Sequence, residues 1–413
     1  MNATIISVGN ELLSGLTVNS NASFIGEKLT GVGVRVIRID TVGDVESSIV
    51  EALKRAVQDS DVIVVTGGLG PTEDDMTKRA IAFFLNVELK FHPEAYKRIE
   101  RMFQKRGIPL PASNWQQAEL PEGTEPVPNL VGTAPGLKFL HQNKRFYVLP
   151  GVPKEARAMT ERIIVPELKE EAGSRIFLSQ TFRTTGISES MLQDKLQQFS
   201  NLHPDVTVAY LPKLTGVVLR TSLFGESQSE CESKLREAES FILQQTGDVI
   251  YSTQGEEMEA VVGKLLSERR QTLSVAESCT GGLIGHLLTN VPGSSDYFNR
   301  GVVAYSNAAK IELLNVPSST IEKHGAVSAE TAEAMAEGVR KLSQSNYGLS
   351  VTGIAGPGGG SEEKPVGLVY IGYSDAENTL SERHLFWKDR ILNKTRSAVA
   401  ALDLLRRQLL LSE

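Results

Sequence analysis

Residues 276–285 read AESCTGGLIG and set three side-chain nucleophiles, Ser278, Cys279 and Thr280, directly before Gly281 and Gly282. The apolar run TLSV precedes them and a second apolar segment follows, so the stretch reads as strand, turn and helix. Ser or Thr at such a junction would cap the helix by accepting from its free amides. A reactive oxygen in the same place would face oriented backbone N–H groups, which stabilise the oxyanion of an acyl transfer. Downstream, VPGSSDYFNRGVVAYSNAAK (291–310) puts Tyr305 and Lys310 five residues apart, across a strand end and a helix start. A lysine whose ammonium is desolvated can be neutral and act as a general base toward a serine. No histidine stands in a comparable motif: His286 lies in the apolar segment and His324 precedes a helix. A Ser–Lys arrangement aided by a tyrosine hydroxyl is therefore the most economical hydrolytic constellation. The loop SVTGIAGPGGGSEEKPVG (350–367) follows a strand, and its backbone through Thr352, Gly353 and Gly356 would line an oxyanion hole or hold a phosphate. Arg390, in WKDR, would grip a phosphate bidentately. The plain alternative makes Ser278 a helix cap and Lys310 and Arg390 solvated charges.

A second group lies near the N-terminus, in TGGLGPTEDDMT (66–77) between a β-branched run and a helical pattern. Gly67, Gly68 and Gly70 let a ligand approach the main chain, Pro71 fixes the exit, and Thr72 is placed to cap the coming helix. Such an amide cradle suits a phosphate or pyrophosphate. Asp74 and Asp75 would repel one unless a divalent cation bridges them to its oxygens. With Glu73 they would otherwise only complement a helix dipole. GNELLSG (9–15) brings Glu11 to the same edge, and VGTAPG (131–136) and LPGVPKE (149–155), the latter with Lys154, are further loops of this type.

The elements that must position these groups fall into three segments, as a chain of 413 residues leads one to expect. Residues 1–170 alternate strands (TIISVG, VRVIRID, DVIVVTGG, RFYVLPG) with helical patterns such as Ile49, Leu53 and Val57. That alternation predicts an α/β domain with a mainly parallel sheet, whose ligands sit at the carboxyl ends of the strands. Residues 171–253 spell β-α-β-β-α-β, a small α+β unit with no GxxG and no basic aromatic stripe, so nucleic-acid binding is not expected of it. After the polar stretch STQGEEME, residues 254–413 return to α/β, ending in a helix with Ala398, Leu402, Leu405 and Leu409 on one face. A net charge of −7, from 43 basic and 50 acidic residues, disfavours a nucleic-acid duplex as main ligand. The two cysteines, Cys231 and Cys279, exclude cysteine-ligated zinc and fit a reducing compartment. Neither a signal peptide nor a membrane span is evident, so a cytoplasmic location is expected.

Taken in order, GNELLSG, TVGD, TGGLGPTEDDMT, GTAPG and LPGVPKE resemble the molybdopterin-binding fold of MoaB and MogA, in the version found in the competence/damage-inducible CinA family. AESCTGG, PGSS, AYSNAAK, HGAVSAETAEAMA, TGIAGPGGGSEEKPVG and DR resemble the C-terminal CinA domain, the nicotinamide-nucleotide amidase PncC. The resemblance implies a three-layer MoaB/MogA-like domain, a KH-like middle domain and an amidase domain, assembled as a homodimer. It further implies deamidation of nicotinamide mononucleotide without a cofactor, and divalent-metal-dependent cleavage of the pyrophosphate of ADP-ribose-like nucleotides. In that reading Ser278 is the nucleophile with Ser295 as rival, Lys310 the base and Tyr305 its hydrogen-bonding partner. Thr280, Gly281, Thr352, Gly353 and Gly356 shape the pocket and Arg390 holds the phosphate. In the first domain Gly67, Gly68, Gly70, Thr72 and Lys154 bind substrate, with Glu11, Asp74 and Asp75 on the metal. Alternatives are a molybdopterin-binding protein, or an interaction partner in competence and recombination, with one or both activities vestigial.

Overall fold

Runs of Val and Ile bounded by glycine become strands in the computed structural model, which describes every residue except Glu73, Ala172, Ser174, Ser412 and Glu413. The chain divides into two units, residues 1–178 with 223–232, and 179–222 with 233–413.

The N-terminal strands are β1 (Asn2–Val8), β2 (Arg35–Val42), β3 (Val62–Thr66), β4 (Leu89–Phe91), β5 (Glu119–Pro121), β6 (Glu125–Val127), β7 (Gly136–His141) and β8 (Lys144–Leu149). One sheet runs β2-β1-β3-β8-β7-β6, parallel from β2 through β8 and antiparallel beyond it, while β4 and β5 form a separate pair. Every residue of β3 is buried, because both faces of the sheet are covered. Ile6, Ile63, Val65 and Phe146 meet Ile49 and Leu53 of the helix Glu46–Asp59. Their alternates Ile5, Val62, Val64 and Tyr147 meet Ile25 and Leu29 of the helix Ser20–Gly31 on the other face. The result is the expected three-layer α/β arrangement. Parallel strands share a direction, so the loops after β1, β2, β3 and β8 all leave from one edge.

The middle segment forms β9 (Ile176–Thr184), β10 (Thr207–Lys213), β11 (Gly216–Gly225) and β12 (Ile250–Ser252), in the order β10-β11-β9-β12. The first helix of the β-α-β-β-α-β order is broken into Glu189–Lys195 and Phe199–Leu202, and the helix Gln228–Thr246 completes the α+β unit.

The C-terminal sheet comprises β13 (Leu273–Glu277), β14 (Phe298–Val303), β15 (Tyr347–Gly353), β16 (Leu368–Ser374) and β17 (Thr379–Leu385), in the order β14-β13-β15-β16-β17. The first three are parallel and the last two join antiparallel. The helix Arg390–Leu411 lays Ala398, Leu402, Leu405 and Leu409, all fully buried, against Val275, Leu349, Val351 and Ile371. On the opposite face Met335 and Val339 of the helix Ala329–Ser343 pack with Ala276. Among the described residues, no helix is long and apolar enough to cross a membrane.

Candidate active site

Ser278 is the first residue beyond β13, and its amide donates to Val351 O of β15 at 2.9 Å, which pins it to the sheet edge. Lys310 stands on the helix Asn307–Leu314, whose first turn is capped by Ser306 Oγ accepting from Ala309 N at 3.0 Å. Its Nζ lies 3.0 Å from Ser278 Oγ and donates to Ala304 O at 3.0 Å and Tyr305 O at 3.4 Å. Only 1% of Lys310 is exposed, and burial pushes its pKa below the usual lysine range. This is the environment in which an amine serves as a base. The pair opens into a cleft of about 260 Å³ that Tyr305, Thr352, Gly353 and Arg390 also line.

Thr352 spends its hydroxyl on Ala326 O at 2.6 Å, so it shapes the wall. Arg390 donates to Gly356 O at 2.7 Å and to the Tyr305 hydroxyl at 3.1 Å, which sets its guanidinium at the rim. Lys364 donates to His324 O at 2.7 Å and Val327 O at 2.8 Å, tying the glycine-rich loop to the opposite turn.

Several expectations need correction. The Tyr305 side chain is not the partner of Lys310: its carbonyl meets Nζ, while its hydroxyl is held by Arg390. Ser295 is exposed on the turn Ser294–Asp296 and does not line the cleft. Thr280 is wholly buried, and neither it nor Gly281 lines the cleft. Nor does the helix Leu283–Thr289 offer its N-terminus to a reacting oxygen. The buried Glu277 carboxylate already accepts from the amides of Gly282 at 2.9 Å, Ile284 at 3.1 Å and Gly285 at 2.9 Å. Gly281 and Gly282, with φ of 61° and 94°, allow the main chain to fold over that carboxylate. Sequence reasoning missed Glu277; the only signal was an acid closing an otherwise uncharged strand. Burial pushes the Cys279 thiol up to about 12, so it stays protonated and inert beside the serine.

In the N-terminal domain the glycine loops do converge. Gly67 N donates to Leu149 O at 3.0 Å, and Thr66 Oγ1 donates to Pro150 O at 3.1 Å. Asn21 donates to Gly151 O at 2.8 Å and Thr66 Oγ1 at 3.2 Å, a tie the sequence did not announce. Gly67 has φ of 107°, and a Cβ there would stand 2.2 Å from Val8 O, so only glycine lets β1 and β3 end this closely. The loops after β1 and β2 are joined by Asn10 N donating to Asp44 Oδ2 at 2.8 Å.

The loop 68–76 differs from expectation. The next helix begins at Thr77 with Met76 at its N-cap, so Thr72 does not cap it and Asp74 and Asp75 lie outside its first turn. Thr77 Oγ1 donates to Gly67 O at 2.8 Å and Thr77 N to Gly68 O at 3.2 Å, closing the loop on itself. Asp75 Oδ2 accepts from Thr72 N at 2.8 Å and Thr72 Oγ1 at 2.5 Å, and it packs on Gly70. Glu11 is exposed and folds back over Gly9, and Lys154 is exposed in the first turn of the helix Pro153–Met159. Glu73 lies outside the described residues. Among the described residues no group of three or more His, Cys, Asp or Glu side chains is gathered as a metal ion would need. Glu11, Asp74 and Asp75 are thus not gathered into one cluster among the described residues. Behind the loop Lys78 is buried and donates to Gln116 O; burial lowers its pKa to about 8, against the pull of Glu119 and Asp75.

Residues 255–409 match the family model for the CinA C-terminal domain, 4–170 that for a probable molybdopterin binding domain, and 179–252 that for the KH domain of damage-inducible protein CinA. A CinA-like protein of Salinibacter ruber is 43% identical over 411 residues, covering 99% of this chain and 100% of that protein. Another, from Dictyoglomus thermophilum, is also 43% identical over 411 residues, with the same coverage of both chains. A crystal structure of a competence/damage inducible protein from Agrobacterium tumefaciens is 38% identical and covers 37% of this chain and 96% of that one, with a TM-score of 0.35. Near-complete alignment at this identity, across all three segments, makes the chain a member of the CinA family.

Proposed function

We propose that the C-terminal domain is a serine amidase that converts the carboxamide of nicotinamide mononucleotide to the acid and ammonia. The observation that carries this reading is the buried Lys310 Nζ, 3.0 Å from Ser278 Oγ at the floor of a cleft. A neutral amine has two N–H bonds and one lone pair. Here the N–H bonds point to Ala304 O and Tyr305 O, which leaves the lone pair for the serine hydroxyl. Ser278 Oγ attacks the carboxamide carbon as its proton passes to Lys310 Nζ. The same proton then goes to the departing nitrogen, which leaves as ammonia, and an acyl ester remains on Ser278. Water hydrolyses that ester with Lys310 again accepting and returning the proton. The amide of Cys279, which adjoins the nucleophile and belongs to a cleft-lining residue, is the donor proposed for the developing oxyanion. Arg390, at the rim, suits the phosphate of a mononucleotide. Ammonia release from nicotinamide mononucleotide by the purified protein tests this; no release above a Ser278→Ala control refutes it.

A second reading concerns the N-terminal domain and rests on the convergence of its strand-end loops at Gly67 and Gly151. We propose that these loops hold the pyrophosphate of an ADP-ribose-like nucleotide for hydrolysis. Magnesium sites of this kind use one or two carboxylates together with substrate phosphates. Asp74 and Asp75, next to the glycine loop, are the carboxylates that would serve once phosphate is bound. Assay of ADP-ribose cleavage, with molybdopterin binding measured alongside, separates this from a purely pterin-binding role.

A further inference from the structure

We infer that Glu277 is the positioning residue of the Ser278–Lys310 pair, acting by holding the turn on which Ser278 stands. The inference rests on the reading of Ser278 as nucleophile but not on the identity of the substrate. Glu277 closes β13 and is 1% exposed. An ionised carboxylate so placed is costly to bury unless it is fully hydrogen-bonded. Three main-chain amides supply that, at 2.9, 3.1 and 2.9 Å, from residues five, seven and eight positions along the chain. These charge-assisted bonds are of the strong kind, and they tie the last residue of a strand to the first turn of the following helix. Ser278 lies inside the segment so closed.

The same residue also reaches the base. The Glu277 carbonyl accepts from Ala304 N at 2.8 Å, and the Ala304 carbonyl in turn accepts from Lys310 Nζ at 3.0 Å. One residue therefore fixes the nucleophile through its side chain and the base through its main chain. Only the first of these depends on side-chain identity, which makes it testable. A cap borne by Ser278 itself would have committed the Ser278 hydroxyl to the helix; with Glu277 in that role the hydroxyl faces Lys310. Displacing a reacting group by an ångström costs about a hundredfold in rate.

The test is carried out on the full-length protein with Glu277→Gln, which keeps the side-chain size but offers an NH₂ group to one of three N–H donors. Two readouts are taken, ammonia release from nicotinamide mononucleotide and the rate at which a fluorophosphonate labels Ser278. The expected result is a fall of about 10 to 100-fold in kcat, with KM little changed and labelling slowed by a similar factor. The acid limb of the pH profile should stay in place, because Glu277 acts on geometry and not on the charge of Lys310. If Glu277→Gln does not fold, Glu277→Asp, which retains the charge but is one methylene too short for all three amides, should show the same slowed labelling. Labelling and turnover at the wild-type rate in a folded variant would overturn the inference. So would a wild-type protein that fluorophosphonate does not label, since no activated serine would then be present to position. A wild type that labels at Ser278 but releases no ammonia refutes the proposed substrate, and the labelling comparison still decides the role of Glu277.

Discussion

Replacing Lys310 with methionine removes Nζ while leaving an unbranched apolar stem in its place, and the consequences can be worked from its contacts. Three are lost, to Ser278 Oγ, Ala304 O and Tyr305 O. Loss of a general base lowers the rate by about 10² to 10⁴-fold, or about 2.7 to 5.5 kcal/mol in the barrier. Stability should change far less. The two carbonyls lose a donor, at about 1 to 3 kcal/mol for each that stays dry. Against this, the penalty of burying an amine whose pKa is lowered in the fold disappears. The two effects oppose each other, so Lys310→Met should still fold and melt cooperatively. The assay is ammonia release from nicotinamide mononucleotide at 25 °C beside a thermal melt of the same sample. Lys310→Arg, which cannot deprotonate, should be as inactive as Lys310→Met. The pH dependence has a definite sign. The wild-type amidase should gain activity as pH rises through the lowered Lys310 pKa and lose it as pH falls below. Because the folded pKa lies under the unfolded one, the unfolded chain binds more protons between the two, and wild-type stability rises with pH across that window. Lys310→Met should lack both trends. Turnover within tenfold of wild type in either variant would refute the role given to Lys310.

The remaining predictions concern the two sites separately. Ser278→Ala should be as severe as Lys310→Met, whereas Ser295→Ala, on an exposed turn outside the cleft, should deamidate at the wild-type rate; the reverse pattern in the same ammonia assay would exchange their roles. A chelator should leave ammonia release unchanged, because Lys310 supplies the proton transfer, while ADP-ribose cleavage should be lost and restored by a divalent ion. Asp75→Ala removes the acceptor of Thr72 N and Oγ1, which costs about 1 to 2 kcal/mol of local stability. It should abolish ADP-ribose cleavage and leave deamidation intact; near-normal cleavage would show that Asp75 only closes the loop.

Much of this was legible in the sequence, for identifiable reasons. Glycine at a strand end permits positive φ and a close approach of main chains, so Gly67 and the loops beside it are legible as meeting on one edge. The terminal helix was equally open to reading, since its buried positions recur at three- and four-residue intervals. Direction of side chains was not. Tyr305 and Lys310 line one cleft, yet the helix Asn307–Leu314 turns Lys310 toward the Tyr305 carbonyl while the phenol projects to Arg390. Thr72 read as a helix cap because Ser, Thr and Asp before an amphipathic run ordinarily are caps. Its partner proved to be Asp75 three residues on, and the helix starts only at Thr77.

The same limit explains the opening motif. Capping statistics assign the free amides of a first turn to the Ser or Thr immediately before it, and AESCTGG offers two such residues. What takes those amides is a carboxylate from the strand, which reaches across the two glycines to Gly282, Ile284 and Gly285. Only the path of the main chain through Gly281 and Gly282 makes that reach possible, and no local pattern encodes it. The chemistry depends on this outcome. If the Ser278 hydroxyl capped the helix it would be fixed on an amide, with its lone pair engaged and its oxygen turned from the cleft. Because Glu277 fills the helix mouth, Ser278 Oγ lies 3.0 Å from a buried amine instead, and under the proposed mechanism a stretch that looks like a cap supplies a nucleophile beside its base.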